Sequence, residues 1–157
     1  MGSIQYLDMI ISMFGFSVLM AFIAAELEIQ IEGKDGWAKN LPTWKVKNSL
    51  TRFIWGEQPI TGYHVWFLLF NLVWSQFPFV VGVPWTLGLE LQILSIMFFA
   101  ILMEDFFWFV LNPEFGFKKF NAKHATWHLR WMFGVPTWYI KLTLVIIALL
   151  LVGGFLD

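Results

Sequence analysis

Hydrophobic and polar positions divide the chain into four long apolar segments, which are joined by two long polar connections and one short turn. The apolar segments cover about residues 4–31, 63–82, 85–111 and 136–156. A helix needs roughly 20 mostly apolar residues to cross a bilayer, and each segment supplies that length. The third segment ends at Asn112-Pro113, because the residue before a proline disfavours the helical conformation. The pattern predicts four transmembrane helices.

The two long connections are polar but rich in tryptophan, which is typical of segments at a membrane surface. The first combines turn residues with one short amphipathic stretch, so we expect a partly helical interfacial loop between spans 1 and 2. The second contains KFNAKHATWHLRW at residues 119–131. Built as a helix, this stretch separates aromatic and histidine side chains (Phe120, His124, Trp127, His128, Trp131) from basic ones (Lys119, Lys123, Arg130). It therefore predicts an interfacial amphipathic helix between spans 3 and 4.

The composition agrees with an integral membrane protein. Of all residues, 59% are hydrophobic and only 13% are charged, whereas a soluble domain carries about a quarter charged residues. The net charge of −1 argues against nucleic acid as a partner, and the absence of cysteine excludes disulfides and thiolate metal ligands. We find no internal repeat and no linker. The sequence thus predicts a single all-α polytopic domain over residues 1–157, with the lipid bilayer as a partner.

The basic residues predict one orientation in the membrane. All ten lie in the two long connections or in the first turns of the fourth segment: Lys34, Lys39, Lys45, Lys47, Arg52, Lys118, Lys119, Lys123, Arg130 and Lys141. Connections rich in lysine and arginine stay in the cytoplasm. We therefore expect both long connections to be cytoplasmic and both termini to be extracytoplasmic, in the plasma membrane.

Ionisable side chains converge at the predicted cytoplasmic end. Such groups are costly at membrane depth and usually pair or do chemistry there. Imidazole and carboxylate are common ligands of zinc and iron, and histidines at i and i+4 of a helix can reach one ion. HATWH lacks the glutamate of an H-E-x-x-H motif, so a general base must come from another helix. We predict metal ligands at His64, Glu104, His124, His128 and Glu26, and catalytic roles for Glu104 and Asp105.

Each of these residues also has a structural interpretation. The two histidines of residues 124–128 could bind lipid headgroups, and Glu104 and Asp105 could form salt bridges with Arg130 or Lys141. Glu26 could extend to the interface. We expect solvated carboxylates at Glu28 and Glu32, although they lie on a helix face with the small residues Ala21 and Ala25. Asn71 and Ser75 fit interhelical hydrogen bonds, and the roles of Glu90 and Asp8 stay open.

The predicted function is that of a membrane-embedded metalloenzyme acting on a hydrophobic or lipid substrate at the cytoplasmic side. The cofactor would be a divalent metal ion: zinc would favour hydrolysis and iron would favour oxidation.

Three alternatives remain. A proton- or cation-conducting bundle would use Glu90, Asn71, Ser75 and Glu104 as its path. A b-type haem protein would use His64 and a histidine of the second connection as axial ligands. An accessory subunit would pack its aromatic faces on a partner, in a homo-oligomer or a larger membrane complex. Metal content, ion flux in liposomes and the visible spectrum distinguish these functions.

Overall fold

The computed structural model describes residues 3–49, 51 and 58–156, and these residues are mostly helical. The helices are α1 (Ser3–Glu32), α2 (Gly62–Ser75), α3 (Phe77–Val80), α4 (Leu87–Leu111) and α5 (Thr137–Leu156), with a short 3-10 helix at Phe117–Lys119. Two short antiparallel pairs complete the described part: β1 (Lys45–Val46) with β2 (Ile60–Thr61), and β3 (Trp131–Met132) with β4 (Val135–Pro136).

Three helices are long and apolar enough to cross a membrane. They cover Tyr6–Glu32, Leu87–Leu111 and Thr137–Leu156. Large apolar side chains such as Leu151 and Phe155 remain exposed on their outer faces. In water such a surface would be unfavourable, and hydrocarbon is its natural solvent. The chain is therefore an integral membrane protein by the length and composition of its helices.

The second predicted span is divided in two. Helix α2 has 14 residues and α3 has four, and Gln76 lies between them. The cause is Pro78, which has no N–H to donate and whose ring clashes with the carbonyl group of Trp74, four residues earlier. At 1.5 Å per residue α2 rises about 21 Å, which is less than the roughly 30 Å of a hydrocarbon core. Four uninterrupted spans are thus not found among the described residues.

Helix α4 lies at the centre of the bundle. Helix α1 runs parallel to it, since Ile10 packs near Leu89 at one end and Ala25 near Phe109 at the other. Helix α5 runs antiparallel, and Gly153 approaches α4 so closely that a Cβ atom there would lie 2.6 Å from the Gly88 carbonyl oxygen. Small residues permit such close packing of membrane helices.

Both long connections therefore lie at one end of the bundle, where α1 and α4 finish and α2 and α5 begin. We call this the polar end. The side-chain amide of Asn112, at the end of α4, donates a hydrogen bond of 2.8 Å to the carbonyl oxygen of Gly33, just after α1. This bond ties the first connection to the second. Arg52, one of the basic residues that predicted the orientation, lies outside the described residues.

The interfacial helix predicted at residues 119–131 is wrong. These residues form turns that lead into β3. The side chain of Asn121 accepts a hydrogen bond from the backbone N–H of Lys123, 3.1 Å away, and so stabilises a turn in place of a helix. Further on, Phe133 and Gly134 have φ angles of 54° and 81°, which is the geometry of a tight turn between two paired strands.

The same segment is nevertheless held firmly against the bundle. The ring of Trp127 stacks on Phe109 of α4 at 5.6 Å, with an angle of 7° between the ring planes. Ala125 and His128 are buried beside it. Aromatic packing thus positions this connection without regular helical structure.

For the first connection, the described part consists mostly of turns, bends and the β1–β2 pair, and the backbone is helical at Ser49 and Thr51. The predicted partly helical loop falls partly on residues 50 and 52–57, which lie outside the described residues.

Candidate metal site

Glu28, Glu32 and His64 form a group that could hold a metal ion. Each offers one ligand atom, and these atoms all lie within 4.8 Å of one another. The two glutamates are one helical turn apart at the end of α1, so both point the same way. His64 lies in the first turn of α2, where the hydroxyl oxygen of Thr61 caps the helix by accepting a hydrogen bond from the His64 backbone N–H at 3.2 Å.

Neighbouring groups fix the orientation of the His64 ring. Its Nδ1 atom lies 2.6 Å from the Thr61 hydroxyl, and when Nδ1 donates to that oxygen, Nε2 keeps the lone pair that a metal ion requires. His64 lies outside the three membrane-length helices. Burial lowers the pKa of His64 to about 4, although the Asp105 carboxylate acts in the opposite direction. The ring is therefore neutral at pH 7, which is the form that binds metal ions.

A strained turn covers this group from the side of the first connection. Trp37 and Ala38 have φ angles of 65° and 49°, a conformation that costs non-glycine residues about 1–2 kcal/mol each. The indole of Trp37 lies 4.6 Å from the His64 ring, and the Ala38 backbone N–H donates a hydrogen bond to the Glu32 carboxylate. Strain of this kind is found mostly where function needs it.

A third glutamate, Glu104 of α4, faces the same group. Its carboxyl lies close enough to the Glu28 carboxyl for the two groups to interact electrostatically, and the Tyr63 side chain also lies near Glu28. Glu104 is only 6% exposed, and its Oε1 atom has no hydrogen-bond partner. Within residues 3–49, 51 and 58–156, the ion pairs are Lys39–Asp35 and His128–Asp105. Neither of these pairs involves the glutamates of this group, so their negative charges favour protonation or a bound cation.

Asp105 and His128 form a second polar pair near the glutamates. The Nε2 atom of His128 lies 3.5 Å from Oδ2 of Asp105, and the Tyr139 hydroxyl donates a hydrogen bond to the same oxygen. Trp138 donates to Nδ1 of His128 at 3.1 Å. Since Nδ1 accepts, the proton of the neutral ring is on Nε2. Asp105 is thus held by His128 and Tyr139, not by the predicted salt bridge to Arg130 or Lys141.

One cavity of about 730 Å³ connects the two groups. Its volume falls within the roughly 300–1,000 Å³ of small-molecule sites. Glu28, Glu32, His64 and Glu104 lie on its wall, as do Asp105 and His128. The cavity thus combines a group of possible metal-ligand atoms with a carboxylate–imidazole pair.

The structure brings some of the predicted site residues together and leaves others apart. His64, Glu104, Asp105 and His128 line the cavity. His124 is exposed, and its Nδ1 atom lies 2.9 Å from the Asn121 side-chain oxygen. Glu26 is half-buried and is not among the cavity residues. Because residues 119–131 are not helical, the spacing of four residues does not place His124 beside His128.

Sequence reasoning did not assign Glu28 and Glu32 to the site. The expectation of solvated carboxylates is wrong for Glu28, which is 8% exposed. A signal was available, since Ala21, Ala25, Glu28 and Glu32 follow one helix face, and both alanines are fully buried against the bundle. Glutamates that continue the most closely packed face of a helix must point into the protein.

The residues of the predicted conduction path have local partners. Glu90 accepts hydrogen bonds from Gln76 at 3.3 Å and from the Trp85 indole at 3.1 Å. Asn71 and Ser75 donate to backbone carbonyl oxygens of their own helix, at 2.9 Å and 2.8 Å. These contacts stabilise helix ends and turns, and they do not continue to the cavity at the polar end.

Comparison of the chain with models of protein families, with curated proteins and with solved structures yields no match. The arguments for function therefore rest on the geometry of the site.

Proposed function

We propose that this chain is a membrane metalloprotein in which Glu28, Glu32 and His64 hold a divalent cation. The observation that carries the proposal is the convergence of three ligand atoms within 4.8 Å, beside a buried Glu104 oxygen that has no hydrogen-bond partner. Glu104 is placed to complete the ligand set or to orient Glu28.

The donor set fits such an ion. Carboxylate oxygens and imidazole nitrogen bind zinc at about 2.0–2.2 Å in a tetrahedral arrangement, so two donors of one ion are about 3.4 Å apart. Side-chain rotations that bring the present atoms together by on the order of 1.4 Å would reach that spacing. Oxygen-rich sets with one imidazole also suit iron and manganese. The proposal is therefore zinc or iron, with the metal itself open.

We further propose that the site is enzymatic. A bound divalent ion supplies a Lewis acid and lowers the pKa of bound water. The chain itself supplies the Asp105–His128 pair on the facing wall of the cavity. Tyr139 and Trp138 hold this pair in place, and its imidazole can accept or deliver a proton. Metal chemistry next to a proton-transfer group is the arrangement of metal-dependent hydrolases and oxidoreductases, here acting on a hydrophobic or lipid substrate.

The membrane setting supports the same proposal. With both basic connections at the polar end, the positive-inside rule favours a cavity at the cytoplasmic leaflet, and the plasma membrane is the membrane we propose. A hydrophobic substrate would then reach the site from the bilayer. Assembly into a homo-oligomer or a larger membrane complex stays a prediction.

Elemental analysis of the purified, detergent-solubilised protein tests the metal site. After incubation with Zn²⁺, Fe²⁺ or Mn²⁺ and removal of free ions, we expect about one ion per chain. The variants Glu28→Gln and His64→Gln should lose it, because each removes one of the three donors. His124→Gln is the matched control and should keep it, since His124 is exposed. Absence of stoichiometric metal from the wild-type chain under all three ions would overturn the proposal.

A further inference from the structure

The cavity at the polar end has an apolar extension toward the middle of the bundle. Beyond Glu104 its walls are formed by Phe67 and Leu68 of α2, Phe98 and Ile101 of α4, and Leu142 and Val145 of α5. Phe98 precedes Glu104 by six residues, which corresponds to about 9 Å along the helix. The cavity is therefore amphipathic: ionisable at one end and lined by hydrocarbon at the other.

The protein itself does not fill this extension. On α4, the residues that face α1 and α5, such as Ile93, Ile96 and Ala100, are at most 2% exposed. Phe98 and Ile101 on the same central helix are only half-buried, because they form the floor of the cavity between α2 and α5. An apolar space of this kind between membrane helices is the natural place for a hydrocarbon chain.

At the polar end of the cavity lie hydrogen-bond donors without an acceptor and basic side chains without an ion-pair partner among the described residues. The indole N–H of Trp108 and Nε2 of His128 are buried and make no hydrogen bond, although Nε2 lies 3.5 Å from the Asp105 carboxylate; these residues are 4% and 6% exposed. Leaving a buried donor without a partner is unfavourable, so such a donor favours a guest that can accept a hydrogen bond. Arg130 and Lys141 also line the cavity, and neither takes part in an ion pair within the part of the chain that the structure describes.

The charges of the cavity agree with an anionic guest once a cation is bound. Glu28, Glu32, Glu104 and Asp105 carry four formal negative charges, and Arg130 and Lys141 carry two positive ones. A divalent cation at the glutamates would bring the sum to zero. An anion would be repelled from the cavity without that cation and tolerated with it.

We propose that the cavity binds an amphiphile with one hydrocarbon chain and an anionic head group, a carboxylate or a phosphate. The chain lies along Phe98, Ile101 and Leu142, and the head accepts hydrogen bonds from Trp108 and His128 near Lys141. This inference rests on the proposed metal site, and it names the substrate class for that site. The cavity volume of about 730 Å³ is large enough for one hydrocarbon chain and its head group.

Binding of radiolabelled amphiphiles to the zinc-loaded protein in detergent tests the proposal. We use palmitate, a single-chain lysophosphatidate and, as the neutral analogue, hexadecanol. At least one of the two anions should bind at one per chain and at least tenfold more tightly than hexadecanol, and the better anion identifies the head group. Equal binding of hexadecanol and both anions would contradict the proposal.

Two pairs of variants locate the chain and the head. Leu142→Trp fills the apolar extension and should weaken binding at least tenfold, whereas Leu144→Trp, on the exposed face two residues away, should not. Trp108→Phe removes the indole N–H together with part of the ring, and it should weaken binding of the anion about tenfold; unchanged hexadecanol binding assigns the loss to the N–H. Trp66→Phe, at an exposed indole outside this cavity, is its control. Wild-type affinity for the anion in Leu142→Trp overturns the proposal.

Metal content, measured on the same samples, separates this inference from the proposed function. Leu142→Trp should retain one zinc ion per chain, which also shows that it is folded. If wild-type protein binds zinc but neither anion, the amphiphile site is wrong and the metal site stands. If it binds an anion equally well with and without zinc, the charge argument and hence this inference fail. If no metal binds at all, the proposed function fails first.

Discussion

The carboxyl group of Glu104 is buried against that of Glu28, and one of its oxygens has no hydrogen-bond partner. Among the described residues, no basic side chain compensates this group. Its effect on stability must therefore depend on whether a cation is present, because buried like charges repel each other and a cation reverses the sign of the interaction.

Glu104→Gln should consequently stabilise the metal-free protein and weaken its response to zinc. We expect the free energy of unfolding of the metal-free form to rise by on the order of 1 kcal/mol. Saturating zinc should raise the melting temperature of the wild-type protein more than that of the variant. Thermal unfolding in detergent, with and without Zn²⁺, measures both effects. Glu114→Gln, at an exposed position, is the control, and a metal-free Glu104→Gln variant less stable than wild type would contradict the argument.

The hydrogen bond from Tyr139 to Asp105 joins α5 to α4 beside the cavity. It links a neutral hydroxyl to a carboxylate, and hydrogen bonds to charged groups contribute about 1.5–3 kcal/mol. A double-mutant cycle of Tyr139→Phe and Asp105→Asn should give a coupling energy in that range. Zinc content should be unchanged in all three variants, because neither residue belongs to the metal-ligand group. A coupling energy near zero would show that the two side chains do not interact in solution.

Among the elements, the turn between β3 and β4 contains a strained residue, and a single substitution could relieve this strain. Phe133 has a φ of 54° in the turn and its side chain is 91% exposed. Asparagine adopts this conformation more readily than phenylalanine does, and Asn-Gly is the preferred sequence of such a turn. Phe133→Asn should therefore raise the free energy of unfolding by about 1 kcal/mol. Denaturant unfolding in detergent measures the change, with Phe117→Asn as the control at another exposed phenylalanine.

The elements also show which features the sequence could predict. Long apolar segments predict membrane-spanning helices well, because their length matches the thickness of the bilayer. Helices α1, α4 and α5 coincide with three of the predicted apolar segments. The helix predicted for residues 119–131 does not form, because a spacing of three and four residues in a short polar stretch is equally compatible with turns. Asn121, which caps a turn, and Gly134, which closes a tight one, decided the outcome through local hydrogen bonds. Pro78 likewise outweighed the apolar composition of the second segment.

For the site, the sequence predicts that ionisable residues gather at one end of the bundle. It predicts only in part which of their side chains point into the cavity. His64, Glu104, Asp105 and His128 reach the cavity, because helix order alone brings them to the same level. Glu28 and Glu32 needed the further step of following the buried alanines along α1. The contacts of Trp37 and Ala38 depend on a strained turn, which propensities disfavour and which tertiary packing imposes.

In the molecule as a whole, both long connections lie at the polar end, and this arrangement predicts one pattern of accessibility. The chain contains no cysteine, so single cysteines can be introduced without background. Lys39→Cys and Lys123→Cys, one in each connection and both exposed, should react with an impermeant maleimide only from the cytoplasmic side. Val81→Cys, at the opposite end, should react only from the other side. Labelling of the first two positions from opposite sides would contradict the arrangement.

The turn that holds Trp37 against His64 predicts a change in tryptophan fluorescence when the proposed site binds a metal ion. An indole whose ring centre lies 4.6 Å from that of His64 would emit close to an ion bound at the proposed site. Open-shell ions such as Cu²⁺ and Co²⁺ quench the fluorescence of adjacent indoles, whereas closed-shell Zn²⁺ does not. If the proposed site binds such ions, the part of the emission that comes from Trp37, one of ten tryptophans, should fall as the site fills.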